Sequence, residues 1–412
     1  MTVLKANLAV RFVANTWTIC TMFWMISEFI YTTYIQYSFM TTINKIHAIK
    51  ILDSRANWTV EVDVNGTACA SPAGASTGIH ETATIPADVA CDFINKKLSH
   101  AFIGETIDQK KIDAQLKFLT SKIGANGSIA TSFAIYNLLR DENQKNIFPY
   151  PLGNIFGGGA HGGTIDIQEV LICPKKAKTF PDAIKRMTDT YHDLKKNLKN
   201  KGLQVGMNDE GALTANIGFI ELMDTLKPIA DKHGCLIGLD VAASELYASD
   251  KYFYKKMGKT LTTKEQIEFI LHLIKKYKLF YVEDPMHEED FKNTGILFSK
   301  NKKTLITGDD LTTTNTERIK KAIGHINGMI VKPNQIGTVT QTINAIEMCK
   351  KNGITPVISH RSGETTDSTI SKMALDFEIP LIKCGIADMR TAKLNELLRL
   401  WDEADKPKMA KF

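Results

Sequence analysis

From residue 236 to residue 383 the chain repeats one unit. A short apolar run ends on a charged or polar side chain, and a helical stretch follows. Residues 236–239 end at Asp240, 280–282 at Glu283, 305–308 at Asp309, 329–331 at Lys332, 356–358 at Ser359-His360, and 381–382 at Lys383. From Glu283 onward these ends recur about every 23 to 28 residues, the length of one strand plus one helix. Three of the intervening segments carry a capping-box start: Thr263 to Gln266, Thr314 to Glu317 and Thr338 to Gln341. Gly324 and Gly353 stand where helices would end. Repeated strand–helix units predict a parallel sheet, either closed into a (β/α)8 barrel or open and doubly wound. The barrel is the better reading, because it gathers the strand ends, and so all these charged residues, around one mouth.

The residue types at that mouth specify chemistry. Asp240, Glu283 and Asp309 end successive strands. Three carboxylates brought together repel and raise one another's pKa unless a cation joins them. Oxygen-only ligation favours Mg2+ over Zn2+. Lys332 and Lys383 end later strands; neighbouring ammonium groups lower each other's pKa, so one can act as a base. A metal with a lysine base is an arrangement suited to removing a proton beside a carboxylate. Glu210 and Glu169 add two acids upstream as candidates for protonating a leaving group. The loop Ser359-His360-Arg361-Ser362-Gly363-Glu364-Thr365 offers a fork of donors, a titratable ring and hydroxyls, which suit a phosphate or carboxylate.

Upstream lies a different kind of unit, over residues 40–150. Residues 59–64 alternate apolar and polar, Asn65-Gly66 is a hairpin turn, and residues 67–70 return. A small glycine-rich stretch, Pro72 to Gly78, follows and is suited to close over a ligand. Helices are expected near 86–101, 110–119 and 127–141, making a small α+β domain ahead of a barrel spanning 151–412. Residues 1–39 match neither. From Phe12 to Asn44 the only charge is Glu28. A membrane anchor, a targeting segment, and an upstream extension with the true start at Met40 all fit; the clean start of a domain after Met40 favours the last. The net charge of +6 is spread along helices without aromatic interleaving, which argues against nucleic acid as a partner. Seven scattered cysteines without a CxxC pair point to free thiols in a reducing, cytoplasmic setting.

From Met40 to about Trp401 the chain resembles the enolase family. The matching stretches are Asp53-Ser54-Arg55, Gly74 to Gly78 with His80-Glu81, Gln168-Glu169, Asp209-Glu210-Gly211, Gly238-Leu239-Asp240, Glu283-Asp284-Pro285, Asp309 to Thr312, Lys332 with Asn334 to Thr338, the Ser359 to Thr365 loop, and Ala392 to Arg399. The resemblance implies an enolase-type barrel with a smaller N-terminal α+β domain. It implies Mg2+-dependent interconversion of 2-phosphoglycerate and phosphoenolpyruvate, with two Mg2+ per site and a dimer or higher homo-oligomer. Carried over, Asp240, Glu283 and Asp309 hold the first Mg2+, and Ser76 helps bring in the second with the phosphate. Lys332 is the base, and Glu210, assisted by Glu169, is the acid. Lys383 steadies the substrate carboxylate, Arg361 and Ser362 hold the phosphate, His360 lines the site, and His161 closes over it. Some positions depart from the family pattern: Ala56-Asn57-Trp58 replaces Gly-Asn-Pro, Ala212 replaces a glycine, and the loop from Gly157 to Gln168 is about one residue shorter. Two other functions remain, a dehydratase or racemase on another carboxylate and a non-catalytic binding protein. The Arg361-Ser362 pair argues against the first, and the intact set of acids and lysines against the second. Membrane association would require residues 1–39 to be retained.

Overall fold

The computed structural model describes residues 42–75, 77–141 and 145–412. The apolar segment 1–39 and Ser76 lie outside the described residues. The N-terminal domain opens with strands β1 (Ile46–Leu52), β2 (Trp58–Val64) and β3 (Thr67–Ala70), paired antiparallel in that order. The alternation in β2 buries Val60, Val62 and Val64 completely. At the β2–β3 turn, Asn65 and Gly66 both have positive φ, 51° and 91°. That is the mirror-image turn whose twist matches a hairpin.

Helical residues run from Ala87 to Phe102 with one π-turn, Ile94–Leu98. Helix α1 (Gln109–Leu139) follows and is broken at Gly124 (φ 65°, ψ 170°), so the two helices expected over this stretch are two halves meeting at that glycine.

The second domain is a closed barrel of eight strands: β4 (Tyr150–Gly157), β5 (Glu169–Cys173), β6 (Leu236–Asp240), β7 (Tyr281–Glu283), β8 (Leu305–Gly308), β9 (Gly328–Val331), β10 (Thr355–Ser359) and β11 (Leu381–Gly385). Closure comes from parallel pairing of β11 with β4, Lys383 opposite Leu152. One strand departs from the uniform parallel pattern: β5 runs antiparallel to both β4 and β6. The connection from Gly157 to Glu169 holds only a 3-10 turn, Gly159–His161, and parallel strands need a longer, usually helical crossover. The reversal places Glu169, the first residue of its strand, at the mouth where the other strands end; it stands directly opposite Asp240.

Two helices, α2 (Phe180–Asn200) and α3 (Phe219–His233), separate β5 from β6. The later crossovers are α4 (Thr263–Tyr277), α5 (Phe291–Lys300), α6 (Thr316–Ala322), α7 (Val339–Lys351) and α8 (Thr369–Asp376); α9 (Thr391–Glu403) follows β11. Thr338 caps α7 as expected, but α4 is capped by Thr262 in a box with Glu265, and α6 by Asn315. Each of these two starts lies one residue from its expected position, within the ambiguity of a run of adjacent hydroxyl and amide side chains. Gly324 and Gly353, at φ +83° and +69°, follow the ends of α6 and α7. Among the described residues no helix is long and apolar enough to cross a membrane.

The domains join beside the barrel mouth. Ala73 and Gly363 exchange backbone hydrogen bonds of 2.7 and 2.8 Å, and the Thr82 N–H donates to the Gln335 carbonyl at 2.8 Å. The glycine-rich stretch is thereby tied to the Ser359 to Thr365 loop.

Candidate active site

Strand register assembles the acidic wall. Asp240 lies opposite Glu169 on one side and Glu283 on the other. The Lys383 ammonium reaches all three, 2.7 Å from Glu169 Oε2, 2.9 Å from Asp240 Oδ2 and 2.8 Å from Glu283 Oε1. Glu283 is fully buried and also accepts from the Tyr281 hydroxyl at 2.5 Å. Burial, then the Asp240 charge, push Glu283 up to about 8. Burial works against Lys383, but Asp240, Glu169 and Glu283 hold it well above the ordinary lysine range.

Asp309 forms a second centre. It pairs with the Lys332 ammonium and accepts from Gln335 Nε2 at 2.9 Å. Against burial, Lys332 and then Lys383 keep Asp309 below the usual carboxylate range. Asp284 accepts from the backbone N–H groups of Asp309 and Asp310 at 3.0 and 2.7 Å. Asp284, Asp309 and Asp310 bring oxygens within 4.8 Å of one another. Burial, followed by the Asp309 charge, raises both Asp284 and Asp310 well above the usual range. The cleft lining holds Glu169, Glu210, Asp240, Asp284, Asp309 and Asp310 against the cations Lys332, Arg361 and Lys383. This surplus of buried carboxylate, with oxygen donors alone on the β6–β8 side, fits a hard divalent cation.

The third centre is Glu210. It sits in the turn of a hairpin, Val205–Met207 with Leu213–Ala215, that attaches to β4 through Leu213 and Phe156. Asn208 Oδ1 folds the turn by accepting from the N–H groups of Glu210 and Ala212 at 3.0 and 2.9 Å. Gly211 has φ +75°, and a Cβ there would stand 2.6 Å from the Ala387 carbonyl, so only glycine fits. Asn154 Nδ2 donates to Glu210 Oε2 at 2.9 Å. His161 Nε2 lies 3.4 Å from Glu210 Oε1, and its Nδ1 lies 3.3 Å from Asp209; the shortened loop still delivers this histidine. Burial alone would lower His161, but hydrogen bonding to Asp209 and the Glu210 charge raise it. Glu169 and Glu210 have oxygens within 4.8 Å of one another and of a His161 nitrogen. Burial raises Glu169 strongly, whereas Glu210 is held low, against its own burial, by His161 and His360. The two shifts run in opposite directions, Glu169 toward the neutral acid and Glu210 toward the carboxylate.

The loop after β10 supplies His360, Arg361 and Ser362, all buried and all lining the same cleft. Arg361 forks onto Glu81 at 2.9 and 3.2 Å and donates to Asn334 Oδ1 at 3.1 Å. The cleft encloses about 30 Å3, about the volume of one water in the liquid, and the lysines and Arg361 lie folded onto acids. Of the residues expected at the site, Glu169, Glu210, Asp240, Glu283, Asp309, Lys332, Lys383, His161, His360, Arg361 and Ser362 are all brought together here.

Comparison with known proteins gives the family of both domains. Residues 43–150 match the family model for the enolase N-terminal domain, and residues 145–411 match that for the enolase C-terminal TIM barrel domain. The chain belongs to the enolase family. The enolase of Methanosphaera stadtmanae is 41% identical over 410 residues, covering 90% of this chain and 99% of that protein. The enolases of Archaeoglobus fulgidus and Halobacterium salinarum are 39% and 38% identical, each over 89% of this chain. Membership makes the chain a hydro-lyase of the phosphopyruvate hydratase type, interconverting 2-phosphoglycerate and phosphoenolpyruvate.

This enolase site also contains groups that had no assigned role in the sequence. Glu81, from the N-terminal domain, holds Arg361. Gln335 bridges Asp309 to Glu81, at 2.9 and 3.3 Å. Asn154 lies inside β4 with nothing in its neighbours to mark it. Glu81, Asp284 and Gln335 fell within the stretches that carry the resemblance, and a buried Arg361 needing a carboxylate partner was the available signal for Glu81.

Proposed function

We propose that Lys332 takes the proton from C2 of 2-phosphoglycerate and that Glu210, sharing a proton with Glu169, lets the C3 hydroxyl leave. The C2–H bond breaks and its electron pair forms the C2–C3 double bond. The C3–O bond breaks, and the departing oxygen takes the shared proton and leaves as water. The observation that carries this reading is that Lys332 and the adjacent carboxyl groups of Glu169 and Glu210 line a single cleft. Burial would lower Lys332, but Asp309 holds it protonated. Relief of that pull must precede proton abstraction, and the neighbouring Arg361 and Lys383 cations act in the same direction.

In this reading Asp240, Glu283 and Asp309 would hold the first of two Mg2+, and Ser76 would help to hold the second beside the phosphate. When bound, the cation neutralises the substrate carboxylate and the negative charge that develops beside it. Lys383 steadies that carboxylate, Arg361 and Ser362 hold the phosphate, His360 lines the site, and His161 closes over the substrate. The six described cysteines are free and buried, which supports a reducing, cytoplasmic setting.

The test is phosphoenolpyruvate absorbance from 2-phosphoglycerate, with and without Mg2+, in the full chain and in Asp240→Ala. Product should require Mg2+, and the variant should need a higher Mg2+ concentration for half-maximal rate. An Mg2+ titration unchanged by Asp240→Ala would remove Asp240 from the metal site.

A further inference from the structure

Two cations stand behind the Ser359 to Thr365 loop, on the segment that follows β11. Arg390 is the largest fully buried side chain among the described residues, and Lys393, one helical turn later at the start of α9, is 1% exposed. Burying two cations is costly unless each is fully used, and here each donates to the loop. The Arg390 guanidinium donates to the Arg361 carbonyl at 3.2 Å, to the Ser362 carbonyl, and to Asp388 at 2.8 Å. Its Nε–H donates to His360 Nδ1 at 3.0 Å. Lys393 donates to Glu364 and, at 2.6 Å, to the Thr365 carbonyl. Glu364 in turn accepts from the Arg361 and Thr365 N–H groups at 2.9 and 3.0 Å. The backbone makes room for this: a Cβ on Gly385 would stand 2.5 Å from Arg390 Cδ and 2.4 Å from the Glu210 carbonyl.

We propose that Arg390 and Lys393 are positioning residues, which hold the 359–365 loop from behind so that Arg361, Ser362 and a His360 ring of fixed tautomer face the substrate. The proposal rests on the reading that this loop binds the substrate phosphate. The tautomer follows from donor chemistry. Arginine has no acceptor, so His360 Nδ1 must be the unprotonated nitrogen and Nε2 carries the proton. Arg390 thus makes His360 a donor at Nε2, and it aligns the two carbonyls so that the Arg361 and Ser362 side chains leave the loop on the cleft side. Lys393 fixes Glu364, and Glu364 fixes the Arg361 and Thr365 amides.

The experiment combines a spectroscopic and a kinetic readout on the full chain. Histidine-selective 15N labelling, assigned with His360→Gln, should give an unprotonated Nδ1 and a protonated Nε2 for His360. In Arg390→Lys, which keeps the charge but lacks the Nε donor, that signature should be lost or averaged. Lys393→Met should raise KM for 2-phosphoglycerate about tenfold with kcat changed less than threefold and with the Mg2+ titration unchanged. Because that variant leaves Glu364 buried without its partner, the double variant Lys393→Met with Glu364→Gln serves as a second check, and it should show the same KM rise. A protonated Nδ1 in the wild type, or an unchanged KM in the folded double variant, would overturn the proposal. Arg361→Met tests the underlying phosphate reading separately: an unchanged KM there would fail that reading, whereas the tautomer result stands or falls on Arg390 alone.

Discussion

At the scale of single residues, the site is a set of cations distributed over a surplus of acids. Lys383 is shared by three carboxylates and is 2% exposed, so its charge is bound to the β5–β7 side. Lys332 has one acidic partner, Asp309, and faces Arg361 and Lys383 as cationic neighbours. It is therefore the lysine more readily brought to the neutral state that a base requires. Lys332→Ala should lower the rate of C2 proton exchange with solvent deuterium by about 10²- to 10⁴-fold, the usual contribution of a positioned base. Mg2+ binding should be largely retained, because Asp240 and Glu283 are untouched. Exchange at the wild-type rate would mean that another group takes the proton. Asp240, Glu283, Asp309, Lys332 and Lys383 were legible in the sequence because each ends an apolar run, and Glu210, His360 and Arg361 because each sits in a dense polar loop. Asn154 and Glu81 were not, since one is an amide inside an apolar strand and the other lies in a loop of the other domain. Their roles depend on which residues the fold brings against them, and a linear pattern carries no such information.

At the scale of elements, the breaks and reversals place the groups. β5 runs backward and so carries Glu169 to the mouth at its first residue. The periodic pattern from Asp240 onward predicted the parallel strands well, because each has its own crossover helix. It gave no direction for β5, whose connection to β4 lacks one. Helix α1 shows a second such device. At Gly124 the chain leaves helical geometry, the Ala125 N–H donates to the Ala83 carbonyl at 2.8 Å, and Asn126 exchanges hydrogen bonds of 3.2 and 2.9 Å with the Ile85 backbone. The break thus anchors the segment leading from the glycine-rich stretch into the N-terminal helices. A Cβ on Gly124 would lie 2.7 Å from the Ile85 nitrogen, at a φ of +65°. Gly124→Ala should destabilise the protein by about 1–3 kcal/mol, from strained backbone and lost contact, read as a lower urea midpoint. An unchanged midpoint would mean that the break relaxes into continuous helix without loss.

At the scale of the whole molecule, the two domains share the site. The N-terminal domain contributes Glu81 to Arg361 and Ala73 to Gly363, and Ser54 exchanges hydrogen bonds with Glu364 at 2.7 and 3.0 Å. The Arg140 guanidinium grips Asp376 of α8 through two bonds of 2.8 and 3.0 Å, just past the C-terminal end of helix α1. Separating the domains would break the Arg361–Glu81 and Arg140–Asp376 ion pairs, both largely shielded from water, together with the backbone hydrogen bonds between Ala73 and Gly363. The domains should therefore open together, and a ligand bound at the mouth should stabilise both. Hydrogen exchange can read this out. The amides of Val62 in β2 and Ile330 in β9 belong to different domains and are fully buried. With Mg2+ and phosphoenolpyruvate at about 100 times Kd, both should exchange about 100-fold more slowly, corresponding to about 2.7 kcal/mol of linked stabilisation. Slowing at Ile330 with no change at Val62 would show that the N-terminal domain opens independently and that its ties to the 359–365 loop do not couple the two.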